Sequence, residues 1–356
     1  MHKRFISLLI SVVMLFSCAL AAPETPYPAE TMIVYHQQPK AVQKVIDLLY
    51  EGAMNCETEI PMPPGTLYDT VDQAWIVLQN EFPELLHLSN QAKIVYFQNA
   101  PSIAISARLE YTMTADEFSA MRDELLQTAR GIAASVSGTD YERELQLHDA
   151  VAARTSYSKN VNAPNVHDAY GALINGDSVC EGYAQALTLL CRMVDIPCSM
   201  LIGQAGTGGR TTMHGWNVVN IEGELLLTDC TYNDHNDDML MHWYFNLPAQ
   251  DMAATHHTDT VLPLSSTEQW TYARQMGGYI AGADEMQAVF DAQFSRMQET
   301  GRPMELRAAD DELFRQLVAS LEMLMTNSVY DIDGLTYSTG DALCTMTLTQ
   351  MLPTNE

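Results

Sequence analysis

The sequence predicts an α+β protein, and three observations carry that expectation. Ala184, Leu187, Leu190, Cys191 and Val194 repeat at helical spacing, which marks an amphipathic helix ending before Pro197. Two apolar segments, 215–221 and 224–229, follow around the tight-turn pair Glu222-Gly223, the pattern of an antiparallel hairpin. Hydrophobic residues make up 47% of the chain and charged residues 18%, a mix that buries a core and does not describe a disordered chain. At 356 residues the chain should divide into roughly two domains.

The elements follow in order. Met1-His2-Lys3-Arg4, an apolar run from Phe5 to Leu20 and the small residues Ala19-Leu20-Ala21 read as a secretory signal peptide over 1–21, cut before Ala22. Leu15-Phe16-Ser17-Cys18 resembles a lipoprotein cleavage box in which the bulky Phe16 fits poorly, so a secreted or cell-surface chain is expected, with anchoring at Cys18 the lesser option. No other stretch has the length of a membrane span.

An N-terminal α+β region is expected over 30–138. Val42, Val45, Ile46 and Leu49 have helical spacing, and the turn Pro61-Met62-Pro63-Pro64-Gly65 stops that segment. A second helix is expected at 71–80, with Ala74, Trp75 and Leu78 on one face, and strands at 93–97 and 102–111. Thr114 followed by Asp116 and Glu117 looks like the capped start of a helix running to Ala129. The next helix, 140–153, opens a domain placed at 139–262 and has Leu145, Leu147, His148 and Val151 as inward candidates. Gly176-Asp177-Ser178 is read as a turn and cap, 198–202 as a short strand and 203–209 as a loop with four glycines. A mostly helical C-terminal region is expected over 263–356, from the spacing of Met286, Val289, Phe290 and Phe294 and of Leu313, Leu317, Leu321 and Leu324.

Three residues stand out chemically. Cys180 falls in the first turn of its helix, where unpaired amides and the dipole favour a thiolate, and Gly182 leaves room for a close approach beside it. With Glu222 and Gly223 as a two-residue loop, facing residues have numbers summing to 445, so His214 lies opposite Thr231 and Asp229 is its diagonal neighbour. A carboxylate there orients the imidazole and supports its cation. Taken singly, Cys180 is more often a buried structural cysteine, His214 a surface histidine and Asp229 a turn residue.

The linking observation is a resemblance. Val179-Cys180-Glu181-Gly182-Tyr183-Ala184, His214-Gly215-Trp216-Asn217 and Thr228-Asp229-Cys230-Thr231-Tyr232-Asn233-Asp234 resemble, in order, the three blocks of bacterial transglutaminase-like proteins. Glu144 to Tyr157 is similar to the helix leading into such domains, and Phe82-Pro83-Glu84-Leu85 to a segment upstream in exported members; nothing similar covers the last ~90 residues. The resemblance implies a papain-like fold with a helix bearing the cysteine packed on an antiparallel sheet, and a triad of Cys180, His214 and Asp229. Gly215 and Tyr232 stand where the family often has Ala and Trp.

The expected chemistry is acyl transfer through a Cys180 thioester, with His214 protonating the leaving amine and the Cys180 amide as one oxyanion donor. Hydrolysis of peptide or side-chain amides is the first expectation; glutamine crosslinking or deamidation, or a binding module with an unused triad, are the alternatives. An arylamine acetyltransferase would use a similar triad, but the upstream segments do not resemble that family. Trp216 and Tyr183 are candidates to line the acyl cleft.

The expected partner is a protein or peptide substrate. Without residues 1–21 the chain has 16 basic against 45 acidic side chains, a surface that repels nucleic acid and anionic lipid. No cofactor is expected. The six cysteines besides Cys18 form no recognisable disulfide framework, and there is neither Cys-x-x-Cys nor His-x-x-x-His for zinc. Asp234, Asp237 and Asp238 read as a solvated loop rather than a calcium site, and His235, His242, His256 and His257 as surface-loop histidines rather than metal ligands. Oligomeric state is left open.

Overall fold

A computed structural model describes residues 25–235, 239–328 and 335–350. The leader, Cys18, Asp237 and Asp238 lie outside the described residues, within which no helix is long and apolar enough to cross a membrane.

The N-terminal region contains α1 (Ile33–Gln37), α2 (Lys40–Met54), β1 (Glu59–Pro61), α3 (Tyr68–Glu81) and the hairpin β2 (Leu88–Phe97) and β3 (Ala100–Tyr111), in a sheet ordered β1-β3-β2. Val42, Val45, Ile46 and Leu49 are buried on α2 as the spacing predicts. The proline-rich turn runs along β3, where edge position makes the missing amide of Pro61 harmless. Helices α4 (Ala115–Ala133) and α5 (Asp140–Arg154) both start at capping boxes: Thr114 Oγ1 accepts from the Glu117 amide and Thr139 Oγ1 from the Glu142 amide, each at 3.3 Å. Leu145, Leu147, His148 and Val151 point inward on α5.

The central unit is built on α6 (Cys180–Met193), preceded by the short parallel pair β4 (Ser156–Tyr157) and β5 (Asp177–Ser178). After α6 come β6 (Cys198–Thr207), β7 (Arg210–Ile221), β8 (Glu224–Thr228), α7 (Cys230–Asn233), the pair β9 (Asp234–His235) and β10 (Met239–Leu240), α8 (Ala249–Met252) and β11 (His256–His257). The sheet is ordered β11-β6-β7-β8, and α6 packs on β6 and β7 with α4 and α5 on its other side. Asn217 faces Thr228 and Val218 faces Leu227, the register deduced from the two-residue loop. Glu222 and Gly223 have φ of 53° and 89°, as a primed hairpin turn requires.

Two local expectations are corrected. The glycine-rich stretch 203–209 is not a loop: β6 runs through to Thr207, and only Gly208 and Gly209, at φ 62° and 76°, form the turn into β7. Gly203 instead admits a neighbouring strand, since a Cβ there would lie 2.1 Å from the His257 carbonyl oxygen. The residues before α6 do not cap it either. Ser178 belongs to β5, its Oγ donates to the Val166 carbonyl at 2.7 Å, and the N-cap is Val179, which offers no side-chain acceptor.

Arg192, at the far end of α6, is fully buried and pairs at 2.9 Å with the equally buried Glu81 of α3, joining the N-terminal region to the central unit. The C-terminal part comprises α9 (Tyr272–Met276), β12 (Tyr279–Ile280), α10 (Met286–Thr300), β13 (Met304–Ala308), α11 (Asp311–Asn327), β14 (Leu335–Gly340) and β15 (Thr345–Gln350). Phe290, Phe294, Leu313, Leu317, Leu321 and Leu324 are buried as their spacing predicts. These helices cover a four-stranded sheet, β12-β13-β15-β14, that periodicity does not announce. Its central strand β13 buries Glu305 and Arg307 between Met304, Leu306 and Ala308, and β15 alternates threonine with Met346 and Leu348.

Candidate active site

Helix α6 presents Cys180 at its first position, with no side chain competing for the amides of its first turn. Cys180 is 8% exposed, the most accessible of four otherwise buried cysteines; Cys56 and Cys344 are more open, and all six described cysteines are free thiols. Gly182 permits the fit behind it. A Cβ at that position would sit 1.9 Å from Ser178 Oγ and 2.7 Å from the Asp168 carbonyl oxygen, so the chain before the helix lies directly against α6.

His214 is delivered by β7 and Asp229 by the step from β8 into α7. His214 Nε2 meets Asp229 Oδ2 at 2.7 Å, and the Cys180 thiol lies within hydrogen-bond range of the same ring. With Nε2 committed to the carboxylate, Nδ1 is the nitrogen left for the sulfur. The three predicted residues therefore meet in the order thiol, imidazole, carboxylate, an arrangement in which an imidazole can act on the thiol while the carboxylate orients it. Asp229 also caps α7, its Oδ1 accepting from the amides of Thr231 at 2.9 Å and Tyr232 at 3.1 Å.

Charge in the site is set by opposing effects. Burial disfavours the His214 cation, but the Asp229 carboxylate, its hydrogen bond and the Cys180 sulfur outweigh it and raise His214 to about 10. Burial alone would raise Asp229; its two imidazole neighbours, His214 and His256, hold it well below the usual carboxylate range. An imidazolium between a carboxylate and a sulfur is what a thiolate nucleophile needs as counter-ion.

Above His214 opens a cleft of about 790 Å³, bounded by Tyr157, Tyr232, Tyr244 and Trp243 from the central unit and by 339–343 from the C-terminal part. Trp216 and Tyr183 do not line it. Both are fully buried: Trp216 packs behind the His214 ring at 6.2 Å, and the Tyr183 hydroxyl donates to Asp234, with the Thr155 carbonyl oxygen 3.0 Å away. Neighbourhood in sequence misled here because Trp216 is fixed beneath the site by its strand and Tyr183 by its helix. Of the aromatic walls, Tyr157 and Tyr232 lie within the motif segments, whereas Trp243 and Tyr244 come from beyond them.

The histidines predicted in surface loops separate. His257 is exposed, whereas His242 and His256 are buried in two different networks. His242 bridges Asp149 Oδ1 at 2.9 Å and Glu305 Oε1 at 2.7 Å and stacks on Tyr272. Burial opposes its charge, but Glu305 and Asp149 prevail and raise it to about 9, so an ion pair ties β13 to the end of α5. His148 joins this cluster but is not arranged as a metal ligand. The Tyr244 amide donates to Asn233 Oδ1, which turns Asn233 Nδ2 toward His148 Nε2 at 3.0 Å and leaves the proton on Nδ1, facing Asp149. Asp234, the described member of the acidic cluster, accepts from Tyr183.

A thiol at a helix start, set with a histidine from the sheet and a buried carboxylate, is the arrangement a papain-like fold provides. Residues 126–229 match the family model described as the transglutaminase-like superfamily, so the chain carries a transglutaminase-like core. Among solved structures it is similar to a proposed cysteine protease from Cytophaga hutchinsonii (13% identity, 40% of this chain and 61% of that one, TM-score 0.27). It is also similar to a protein described as a TGase (12% identity, 42% and 45%, TM-score 0.30) and to a proposed protease from Parabacteroides distasonis (13%, 39% and 30%, TM-score 0.24). The chain spans less than two thirds of the length of each. No curated protein matches it.

Proposed function

We propose that the protein is an exported thiol enzyme that hydrolyses peptide or side-chain amides through a Cys180 thioester. The observation that carries this reading is the 2.7 Å contact of His214 Nε2 with Asp229, made by an imidazole that also interacts with the Cys180 thiol and lines the cleft. The Cys180 thiolate attacks the amide carbonyl carbon, and the C–N bond breaks as the His214 imidazolium passes its proton to the leaving amine. His214 then takes a proton from water, whose oxygen attacks the thioester and expels the thiolate. The uncapped first turn of α6 offers the Cys180 amide to the oxyanion. Tyr157, half exposed beside His214, leaves the cleft accessible to water, which favours hydrolysis over transfer to a second amine. Export is inferred from the leader-like residues 1–21.

The test is brief iodoacetamide treatment across a pH series, with mass spectrometry of each cysteine in wild type and His214→Ala. Cys180 is expected to be alkylated ahead of the more exposed Cys56 and Cys344 below pH 7, and His214→Ala to remove that lead. A Cys180 that reacts no faster than the rest, or is found in a disulfide, overturns the enzymatic reading in favour of a binding module. With glutamine peptides, ammonia release that is unchanged by an added primary amine, with no amine incorporated, separates hydrolysis from crosslinking.

A further inference from the structure

Four donors converge on Asp229: the Thr231 and Tyr232 amides that it caps, His214, and a second imidazole that has no part in the reaction just described. His256, on the edge strand β11, places Nε2 at 2.9 Å from Asp229 Oδ2, the same oxygen that receives His214. Its Nδ1 lies 2.8 Å from Thr255 Oγ1. Facing a carboxylate oxygen, Nε2 is the nitrogen that carries a proton, so His256 donates to Asp229. The ring is 5% exposed and is enclosed by Trp216 edge-on at 4.9 Å, Tyr232 at 4.9 Å and Tyr244 at 5.5 Å. The strand that carries it pairs His256 with Ala205, an approach open only because Gly203 has no side chain.

We infer that His256 is a positioning residue that fixes the Asp229 carboxylate for His214. Oδ1 is pinned by the two α7 amides, and rotation about the carboxylate axis is then resisted at Oδ2 by His256 alone when His214 moves to deliver or collect its proton. The Oδ2 lone pair that faces His214 is thereby held in one direction throughout the reaction. The second donor also spreads the negative charge of Asp229, so the carboxylate steadies the imidazolium without taking its proton. The inference rests on the thiol-enzyme reading, and its test separates the two.

Three variants, His256→Ala, His256→Gln and His214→Ala, are compared in the full chain by Cys180 alkylation across pH, by amide hydrolysis and by thermal unfolding. A glutamine side chain can place its amide nitrogen near the position of Nε2 and donate to Asp229. His256→Ala is expected to lower kcat at least tenfold with KM unchanged and to shrink the Cys180 alkylation lead below pH 7, and His256→Gln to recover most of both. Parental alkylation and kcat in His256→Ala overturn the inference. So does an equal loss in the alanine and glutamine variants that tracks a fall in melting temperature, because the ring then serves packing only. If His214→Ala leaves the Cys180 lead intact, the thiol-enzyme reading itself has failed; if it abolishes the lead and His256→Ala does not, only the role of His256 has.

Discussion

Replacing Glu144 by glutamine should stabilise the protein, and by an amount that grows with pH. Glu144 lies on α5 behind the site with no solvent exposure; Asn246 Nδ2 donates to its Oε2 at 2.6 Å, and Thr228 Oγ1, one residue before Asp229, lies 3.3 Å from Oε1. No cation pairs with it among the described residues. Burial raises its carboxyl to about 8, more than those two hydrogen bonds lower it. Folding at neutral pH therefore takes up a proton that the unfolded glutamate, with its ordinary value of 4.5, has lost. The sign follows: the group costs nothing below pH 4.5, the cost rises as pH climbs from there to about 8, and it is constant above. At ~1.4 kcal/mol per pH unit this comes to about 3 kcal/mol at pH 7 and about 5 kcal/mol above pH 8. Glutamine copies the protonated acid, accepting from Asn246 and donating to Thr228, and does not titrate. Urea unfolding of parent and variant from pH 4 to 9 gives the difference directly, since other titrating groups cancel between them. Equal stability at pH 4 and a widening advantage for the variant above it is the expected result. A difference that is flat across the range, or a variant less stable at pH 7, refutes the reasoning.

The remaining predictions concern the site and its supports. With burial outweighed by Asp229, His214 keeps its proton to about 10, so amide turnover should fall as pH rises past that value, when the leaving amine loses its donor; the stability from the ion pair, complete below the ordinary histidine value of 6.5, is lost progressively from there up to about 10. Asp229→Asn should move that alkaline limb toward neutrality and lower kcat on the order of a thousandfold, read from a pH–rate profile. Arg192→Met strands the buried Glu81 carboxylate and should cost about 3–5 kcal/mol in denaturant unfolding, most of it recovered when Glu81→Gln is added. A Cβ at Gly340 would lie 2.7 Å from the Trp243 ring on the cleft wall, so Gly340→Ala should shift Trp243 and raise KM while leaving Cys180 alkylation at its parental rate.

Much of the core was legible because local rules dominate there. A two-residue turn sets hairpin register without outside help, so the pairing of Asn217 with Thr228 follows from counting. The ladder ends there: Thr231 lies in α7 and not opposite His214, and Asp229 reaches His214 as the cap of that helix. Helical spacing identified the buried faces of α2, α5, α6, α10 and α11, since burial on one side of a helix must repeat with its turn. The sheet of the C-terminal part was not legible, because β13 buries Glu305 and Arg307 as partners of His242 and Asp251, residues distant in sequence that make those charges tolerable.

By itself, then, the sequence determined the α+β class, the helix that starts at Cys180 and the register that sets Asn217 against Thr228, all products of short-range geometry. Only the tertiary structure decided that Cys180 faces that pair, that tyrosines and a C-terminal turn make the cleft while Trp216 and Tyr183 lie beneath it, and that His256 is a buried partner of Asp229. Each of these depends on which distant segments pack together, and a single chain carries no local periodicity for such contacts.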